Sequence, residues 1–554
     1  MKLLKFLVQS SWQMVAIAIA AGAFSGMCSA GLIALLSRAI SAGDATSIPT
    51  LGGLFLALAL LALGTSILAQ VLLIRLSQQA VFRLRLRLSR QILGSELANL
   101  ERLGQARLLA TLTDDVQAVA DAVRLTPLLC IDLAMVVGCM AYIIWLSWQV
   151  FLLVIGLTVV ALSSCQFLMQ KGRRQLALAR EEQDTLYQHF RAITEGTKEL
   201  KLHYRRRQAF LNEDMQDSAA RYRQYNTLGL ILLFAITSTW GKLIFFFAVG
   251  FVMFALPNFM TLNLTTLSGY ILMFTYLMVP MERLINSMPI LGRADIALDK
   301  IEALGLSLAQ HAEHEQAIPA ASRHDWQRLT LKAVTHAYQT DEADDRFSVG
   351  PIDLELKPGE LIFIVGGNGS GKSTLAKLIT GLYAPDSGAI YLDDTYIDAE
   401  KREWYRQHFA TVFADFYLFS RLLGFDRTDL DQVAQQYLAE LQLDHKVTIQ
   451  AGRLSTTALS QGQRKRLGLL TAYLEDRPIY LFDEWAADQD PVFKDLFYTT
   501  LLPQLRDQGK TVLAITHDNH YFHLADRVIK LDYGRVEYDQ SPTQLPPQFV
   551  VPNR

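Results

Sequence analysis

Gly366, Gly367, Asn368, Gly369, Ser370, Gly371, Lys372, Ser373 and Thr374 follow one another directly. Glycines let backbone N–H groups turn inward around a polyphosphate, and a lysine can reach the β and γ phosphates. A hydroxyl next to it can ligate Mg²⁺. The context is the required one: Leu361 to Val365 reads as a buried strand, and LAKLITGLY after the loop reads as a helix whose N-terminal dipole favours an anion. A second apolar strand, Ile479 to Phe482, runs into Asp483 and Glu484. Asp483 would bind Mg²⁺ through water, and Glu484 would accept a proton from an attacking water. An acidic pair after a strand is common by itself. It gains meaning because Ala458-Leu459-Ser460-Gln461-Gly462-Gln463 comes before it and Thr516-His517-Asp518 follows a third apolar strand, Thr511 to Ile515.

This ordered set resembles the ATP-binding domain of ABC transporters, over Trp326 to about Val536. The resemblance implies a role for each matching position. Leu459, Ser460, Gln461, Gly462 and Gln463 correspond to the signature that contacts the γ-phosphate of ATP held by the other subunit. His517 corresponds to the switch histidine, Asp490 to the D-loop aspartate, and Tyr338 to the aromatic residue stacked on adenine. Lys372, Glu484 and His517 are thereby the catalytic candidates, with Ser373 and Asp483 as the Mg²⁺ ligands. A chain holding the full set can form two equivalent sites by head-to-tail pairing, so a homodimer is expected. Two positions depart from the pattern: alignment puts Ala414 where the family has the Q-loop glutamine, with Asp415 next to it as a water-mediated substitute, and Trp485 stands where proline usually follows the acidic pair.

These elements occupy only the second half of a chain of 554 residues, too long for a single core. Hydrophobic residues make up 51% of it, and the long apolar runs all precede about Pro289, which predicts a membrane domain followed by a soluble one. The expected architecture is a six-span α-helical membrane domain of ABC exporter type over residues 1–305, a linker over 306–325, and an α/β P-loop nucleotide-binding domain over 326–554. Net charge is −2, giving no reason to expect a nucleic-acid partner. Cys28, Cys130, Cys139 and Cys165 lie in apolar runs without metal-ligand spacing and read as core residues.

Candidate spans are about Trp12 to Ile40, Ile48 to Ile74, Pro127 to Leu146, Gln149 to Met169, Leu228 to Phe254 and Leu264 to Pro289, each near or above the ~20 residues that cross a bilayer. The first apolar run is longer than a cleavable leader and is read as a span. Arginines and lysines crowd the segments after spans two and four and are missing from Ser41 to Ser47 and Ala255 to Leu262, so both termini and both long segments are expected in the cytoplasm. Each long segment is expected to be two helices reversing near Leu97 to Gly104 and near Glu195 to Tyr204. Among charges within spans, Asp132 sits near a cytoplasmic end and is expected to reach water. Lys242 lies deeper. It either lines a transport cavity, where it could attract an acidic group, or snorkels or pairs with a neighbour in span five or six.

Six spans plus one such domain match the exporter half-transporter arrangement, in which the two reversals become coupling helices. The run Glu195 to Leu202 together with Asp483 to Pro491 is similar to the bacterial cyclic-peptide and siderophore-peptide exporters, the YojI-, PvdE- and SyrD-like group, whose members share the Trp485 and missing-glutamine departures. That resemblance implies ATP-driven export of a peptide (cyclic, lasso, lipidated or siderophore-related) across the bacterial inner membrane by alternating access. A lipid flippase with the same architecture, or a non-transporting ATP-gated regulator, are the alternatives.

Overall fold

The computed structural model describes residues 2–41, 48–146, 148–255, 264–310, 312–313, 326–337, 347–425 and 428–544. Tyr338 and nearly all of the segment 311–325 lie outside the described residues. The chain forms two compact units, and they do not follow chain order: Met1–Ser89 with Leu108–Gly305, and Arg90–Arg107 with Leu306–Arg554.

The first unit is helical. Its long helices are α1 (Lys2–Ser41), α2 (Ile48–Leu93), α5 (Val116–Leu146), α6 (Trp148–Glu195), α9 (Gln216–Leu230), α10 (Thr237–Gly250) and α11 (Leu264–Gln310). The short α3 (Leu97–Leu103) and α4 (Gln105–Ala110) follow α2, and α7 (Thr197–Leu202) and α8 (Tyr204–Ala209) follow α6, so both expected reversals are breaks between long helices. The apolar parts of these helices satisfy every backbone group internally, the requirement a bilayer imposes, and α2, α6 and α11 continue beyond them into charged stretches. Each of the six apolar segments falls on helical residues. Among the described residues, the helices over Pro49–Leu93 and Gln105–Trp145 are long and apolar enough to cross a membrane, with a shorter apolar stretch at Ala20–Leu36. Helices α1 and α5 approach so closely at Gly26 that a Cβ there would meet the Ala134 backbone at 2.7 Å.

Asp132 does not reach water. Its side chain is 4% exposed, and Oδ1 accepts from Arg283 Nη1 on α11 at 3.1 Å. The expectation of solvent access fails because α11 supplies a guanidinium that compensates the carboxylate inside the bundle. Lys242 has a partner in span six: Nζ pairs with Glu282 Oε1 at 3.2 Å, with the lysine side chain half-exposed. The adjacent Glu282 and Arg283 thus tie α11 to α10 and to α5. Removing one partner of a fully buried pair costs roughly 3–5 kcal/mol; here only the carboxylate is buried and the guanidinium is half-exposed, so the cost is smaller. Arg283→Met should still lower the melting temperature of the detergent-solubilised protein, and adding Asp132→Asn should restore most of it. An unshifted melt for Arg283→Met would show that the pair contributes nothing.

The second unit has an antiparallel sheet ordered β2-β1-β4-β5 and a mixed sheet ordered β12-β11-β3-β10-β9-β6. In chain order these are β1 (Leu329–Ala337), β2 (Ser348–Leu356), β3 (Leu361–Gly366), β4 (Ser387–Leu392), β5 (Thr395–Tyr396), β6 (Phe409–Val412), a small hairpin of β7 (Ile449–Gln450) and β8 (Arg453–Leu454), β9 (Ile479–Asp483), β10 (Thr511–Ile515), β11 (Arg527–Asp532) and β12 (Arg535–Gln540). The helices are α12 (Lys372–Ile379), α13 (Arg402–Arg406), α14 (Leu430–Glu440), α15 (Gln461–Glu475), α16 (Pro491–Leu496) and α17 (Leu502–Asp507). From β6 to β11 the mixed sheet is parallel, and only β12 runs against it. Successive strand residues point to opposite faces. Accordingly Ile362 and Ile364 join a core with Leu375 and Ile379 of α12, while Phe363 and Val365 join a second core with Leu467, Trp485 and Phe497. Strands buried on both faces read as continuous apolar runs, which is why Leu361 to Val365 shows no alternation.

Helix α3 belongs to this unit, with Leu97 and Ala98 packed against the first of those cores. Glu101 accepts from Lys377 Nζ at 2.8 Å and from the Tyr383 hydroxyl, and Glu96 accepts from Arg402 Nη1 at 3.1 Å. Beyond α11, Glu313 holds Arg406 through both carboxylate oxygens at 2.5 and 2.6 Å.

Candidate nucleotide site

Three neighbouring parallel strands, β3, β10 and β9, end at one place. The carboxyl ends of such strands are where open α/β sheets bind ligands. From β3 the chain enters the glycine loop. Gly366 has φ +151°, and a Cβ there would fall 2.3 Å from the Leu531 carbonyl oxygen. Gly371, at φ +98°, caps α12 in a left-handed conformation that other residues adopt at a cost. The loop therefore delivers the unpaired N–H groups of the first turn of α12 to the strand ends.

Lys372, the first residue of α12, is buried, and its Nζ donates to the carbonyl oxygens of Gly366 at 3.1 Å and Gly367 at 2.9 Å. Burial pulls this ammonium below the usual lysine range, and the charges of Glu484 and Asp483 work against that pull. Asp483 ends β9 and is itself buried; its Oδ1 has no hydrogen-bond partner. Burial pushes its carboxyl above the ordinary value; a hydrogen bond with Ser373 opposes this, Glu484 adds to it, Lys372 opposes it, and Asp415 adds to it. Glu484 comes next in a left-handed conformation at φ 47°, with its N–H on the Ile515 carbonyl at 3.1 Å. From the end of β10, His517 Nε2 lies 3.1 Å from Glu484 Oε1. Ser370 Oγ is also buried without a partner.

Lys372, Ser373, Asp483, Glu484 and His517 are thus gathered at one spot. A buried, unpartnered carboxylate oxygen beside a serine hydroxyl is a donor set that fits a hard divalent cation, as oxygen ligands do for Mg²⁺. The signature residues serve another arrangement. Ser460 caps α15, accepting from Gln463 N at 3.4 Å while the Gln463 side chain accepts from Ser460 N at 3.3 Å, a reciprocal capping box. Leu459 packs on the neighbouring core. Asp490 caps α16 through Phe493 N and pairs with Arg466 at 2.5 Å; the Phe493 N–H, followed by Arg466, holds its carboxyl below the usual range. Ala414 and Asp415 follow β6 as exposed residues.

Reading the sequence by motif missed Lys465, Arg466, Asp488 and Gln489. Lys465 is buried between Glu484 and Asp488, and Arg466 bonds both Gln489 and Asp490. The available signal was a lysine on a helix otherwise apolar at Leu467, Leu469 and Leu470, followed by an acidic residue shortly after Glu484.

Residues 13–281 match the ABC transporter transmembrane region, and residues 349–487 match the ABC transporter family. The ATP-binding protein SyrD of Pseudomonas syringae pv. syringae is 40% identical over 473 residues, covering 84% of this chain and 83% of the relative. An ATP-dependent lipid A-core flippase of Thiobacillus denitrificans is 26% identical over 421 residues, 73% of this chain and 70% of the relative. The energy-coupling factor transporter ATP-binding protein EcfA1 of Halalkalibacterium halodurans is 31% identical over 229 residues, 39% of this chain and 79% of the relative. The chain belongs to the ABC transporters. It is a membrane protein of the exporter family whose helical membrane region is fused to an ATP-binding domain, and it hydrolyses ATP in connection with transport.

The raised Asp483 carboxyl has a consequence for stability. The folded chain holds this proton more tightly than the unfolded chain, so ionising Asp483 costs stability at neutral pH, and the cost fades as pH falls through the raised value. Asp483→Asn should raise the nucleotide-free melting temperature at pH 7, a gain that shrinks in acid, while abolishing Mg²⁺-dependent ATPase activity. An unchanged or lower melt, or retained activity, would contradict this account of Asp483.

Proposed function

We propose that two copies of this chain pair head to tail and export a peptide across the bacterial inner membrane, with both termini and the ATP-binding domains in the cytoplasm. Lys372 and the loop N–H groups hold the phosphates of ATP, and Tyr338 stacks on its adenine. Ser373 and Asp483 would hold Mg²⁺, which would supply charge neutralisation at the transferred phosphoryl group. Glu484 takes the proton from the attacking water, and His517, already against its carboxylate, keeps Glu484 oriented. Ser460 and Gly462 of the partner copy face the γ-phosphate. The pair then closes more tightly with nucleotide than without, the difference that shifts a conformational equilibrium.

The peptide reading rests on one observation: similarity to the peptide-exporter group runs through both halves. It includes the Glu195 to Leu202 run, which forms the junction of α6 and α7, and Trp485, which is buried beside Glu484. The relation to SyrD likewise extends over both halves. The flippase relative, spanning 73% of the chain at lower identity, supports lipid as the second reading. Inverted membrane vesicles separate the two: ATP-dependent uptake of a cyclic or lipidated peptide, unaffected by excess lipid, is the expected result, and lipid-only stimulation of the ATPase would favour the second. Glu484→Gln should keep ATP affinity within about twofold, lower turnover by ~10²-fold or more, and stop uptake. Undiminished turnover in that variant would remove Glu484 from its catalytic role.

A further inference from the structure

A polar network joins α15 to the segment that carries Glu484. Lys465 has 3% side-chain exposure; its Nζ donates to the Glu484 carbonyl oxygen at 2.8 Å and pairs with Asp488 Oδ2 at 2.8 Å. Trp485, in the place of the family's proline, donates its indole N–H to the Lys465 carbonyl oxygen at 2.8 Å. Its ring stacks on Phe497 with centroids 4.3 Å apart. Further on, Gln489 donates to the Gly462 carbonyl oxygen at 3.0 Å and accepts from Arg466 Nε at 2.9 Å. Gly462 presses so closely on this segment that a Cβ would come within 2.5 Å of the Asp488 carbonyl oxygen.

A lysine ammonium is costly to bury unless every donor is used on something strongly accepting. A hydrophobic residue at this buried position of α15 would carry no such cost. What the ammonium adds is a hold on one backbone group. It grips the carbonyl of Glu484, the residue whose left-handed backbone decides where its carboxylate points. The grip comes from α15, the helix that starts at Ser460.

We propose that Lys465 is a positioning residue that links the two ATP sites. It transmits the seating of α15 on the partner's nucleotide to the orientation of the Glu484 carboxylate in its own subunit, with Trp485 fixing the backbone from which Lys465 reaches. This rests on the head-to-tail dimer. Full-length protein in lipid nanodiscs should be compared as wild type, Lys465→Met, Lys465→Arg, Asp488→Asn and Ser460→Arg for turnover, affinity for a fluorescent ATP analogue, Hill coefficient for ATP, and melting temperature. Lys465→Met should lower kcat at least ~10-fold with nucleotide affinity within about twofold and a Hill coefficient falling toward one, and Lys465→Arg should recover part of the kcat. Asp488→Asn removes only the half-exposed partner and keeps the proposal testable should Lys465→Met not fold; it should lower kcat about threefold in the same pattern. Wild-type kcat in folded Lys465→Met or in Asp488→Asn would overturn the proposal. So would a joint fall of kcat, affinity and melting temperature without recovery in Lys465→Arg, which is what a merely structural role produces. Full turnover in Ser460→Arg, with a wild-type Hill coefficient of one, would instead defeat the dimer and leave the effect of Lys465 on kcat to be read separately.

Discussion

Everything in the ATP-binding unit depends on holding one ammonium and two carboxylates close together, mostly out of water, where three parallel strands end. Lys372 leans on the carbonyls of its own loop, Asp483 keeps an oxygen without a partner, and Glu484 stands against His517. Such a cluster is poorly satisfied alone, and in the proposed function it would be satisfied by phosphates at the lysine and a cation at the carboxylate. The sheet order supplies the geometry. Strand β10 between β3 and β9 places His517 beside Glu484, and the two faces of β3 anchor the loop in both cores. The helix that begins at Lys372 also carries Lys377, which holds Glu101 of α3, so the phosphate loop and the Leu97–Leu103 segment share one rigid element.

What could be read in the sequence was what is local in it. The glycine loop, the strands Leu361–Gly366, Ile479–Asp483 and Thr511–Ile515, and the breaks near Leu97 and Glu195 are each decided by a few neighbouring residues. Asp132 was misjudged because its partner Arg283 is 151 positions away, and no pattern within span three announces it. The same holds for Glu101 with Lys377, separated by 276 positions. Lys465 escaped for a different reason. A lysine inside a helix ordinarily reads as a solvated face; its apolar neighbours Leu467, Leu469 and Leu470 signal burial, while its bond to the carbonyl of Glu484 shows in the fold.

The departures from the family pattern also fall into place differently. Trp485 is not a tolerated oddity: its ring fills a core position against Phe497, and its indole N–H spends itself on α15. Ala414 offers only a methyl group where the family has an amide, yet the charge of Asp415 beside it is felt at Asp483.

The central claim is that one ATP is shared between the glycine loop of one copy and the Ser460 helix of the other. The most direct measurement is complementation by doubly tagged heterodimers, one copy carrying Lys372→Ala and the other Ser460→Arg, assayed for vanadate-trapped nucleotide. Each homodimer lacks an intact site, whereas head-to-tail pairing leaves the heterodimer one loop and one signature undamaged and facing each other. The account predicts about one trapped nucleotide per heterodimer and none in either homodimer. A heterodimer as empty as its parents would contradict it.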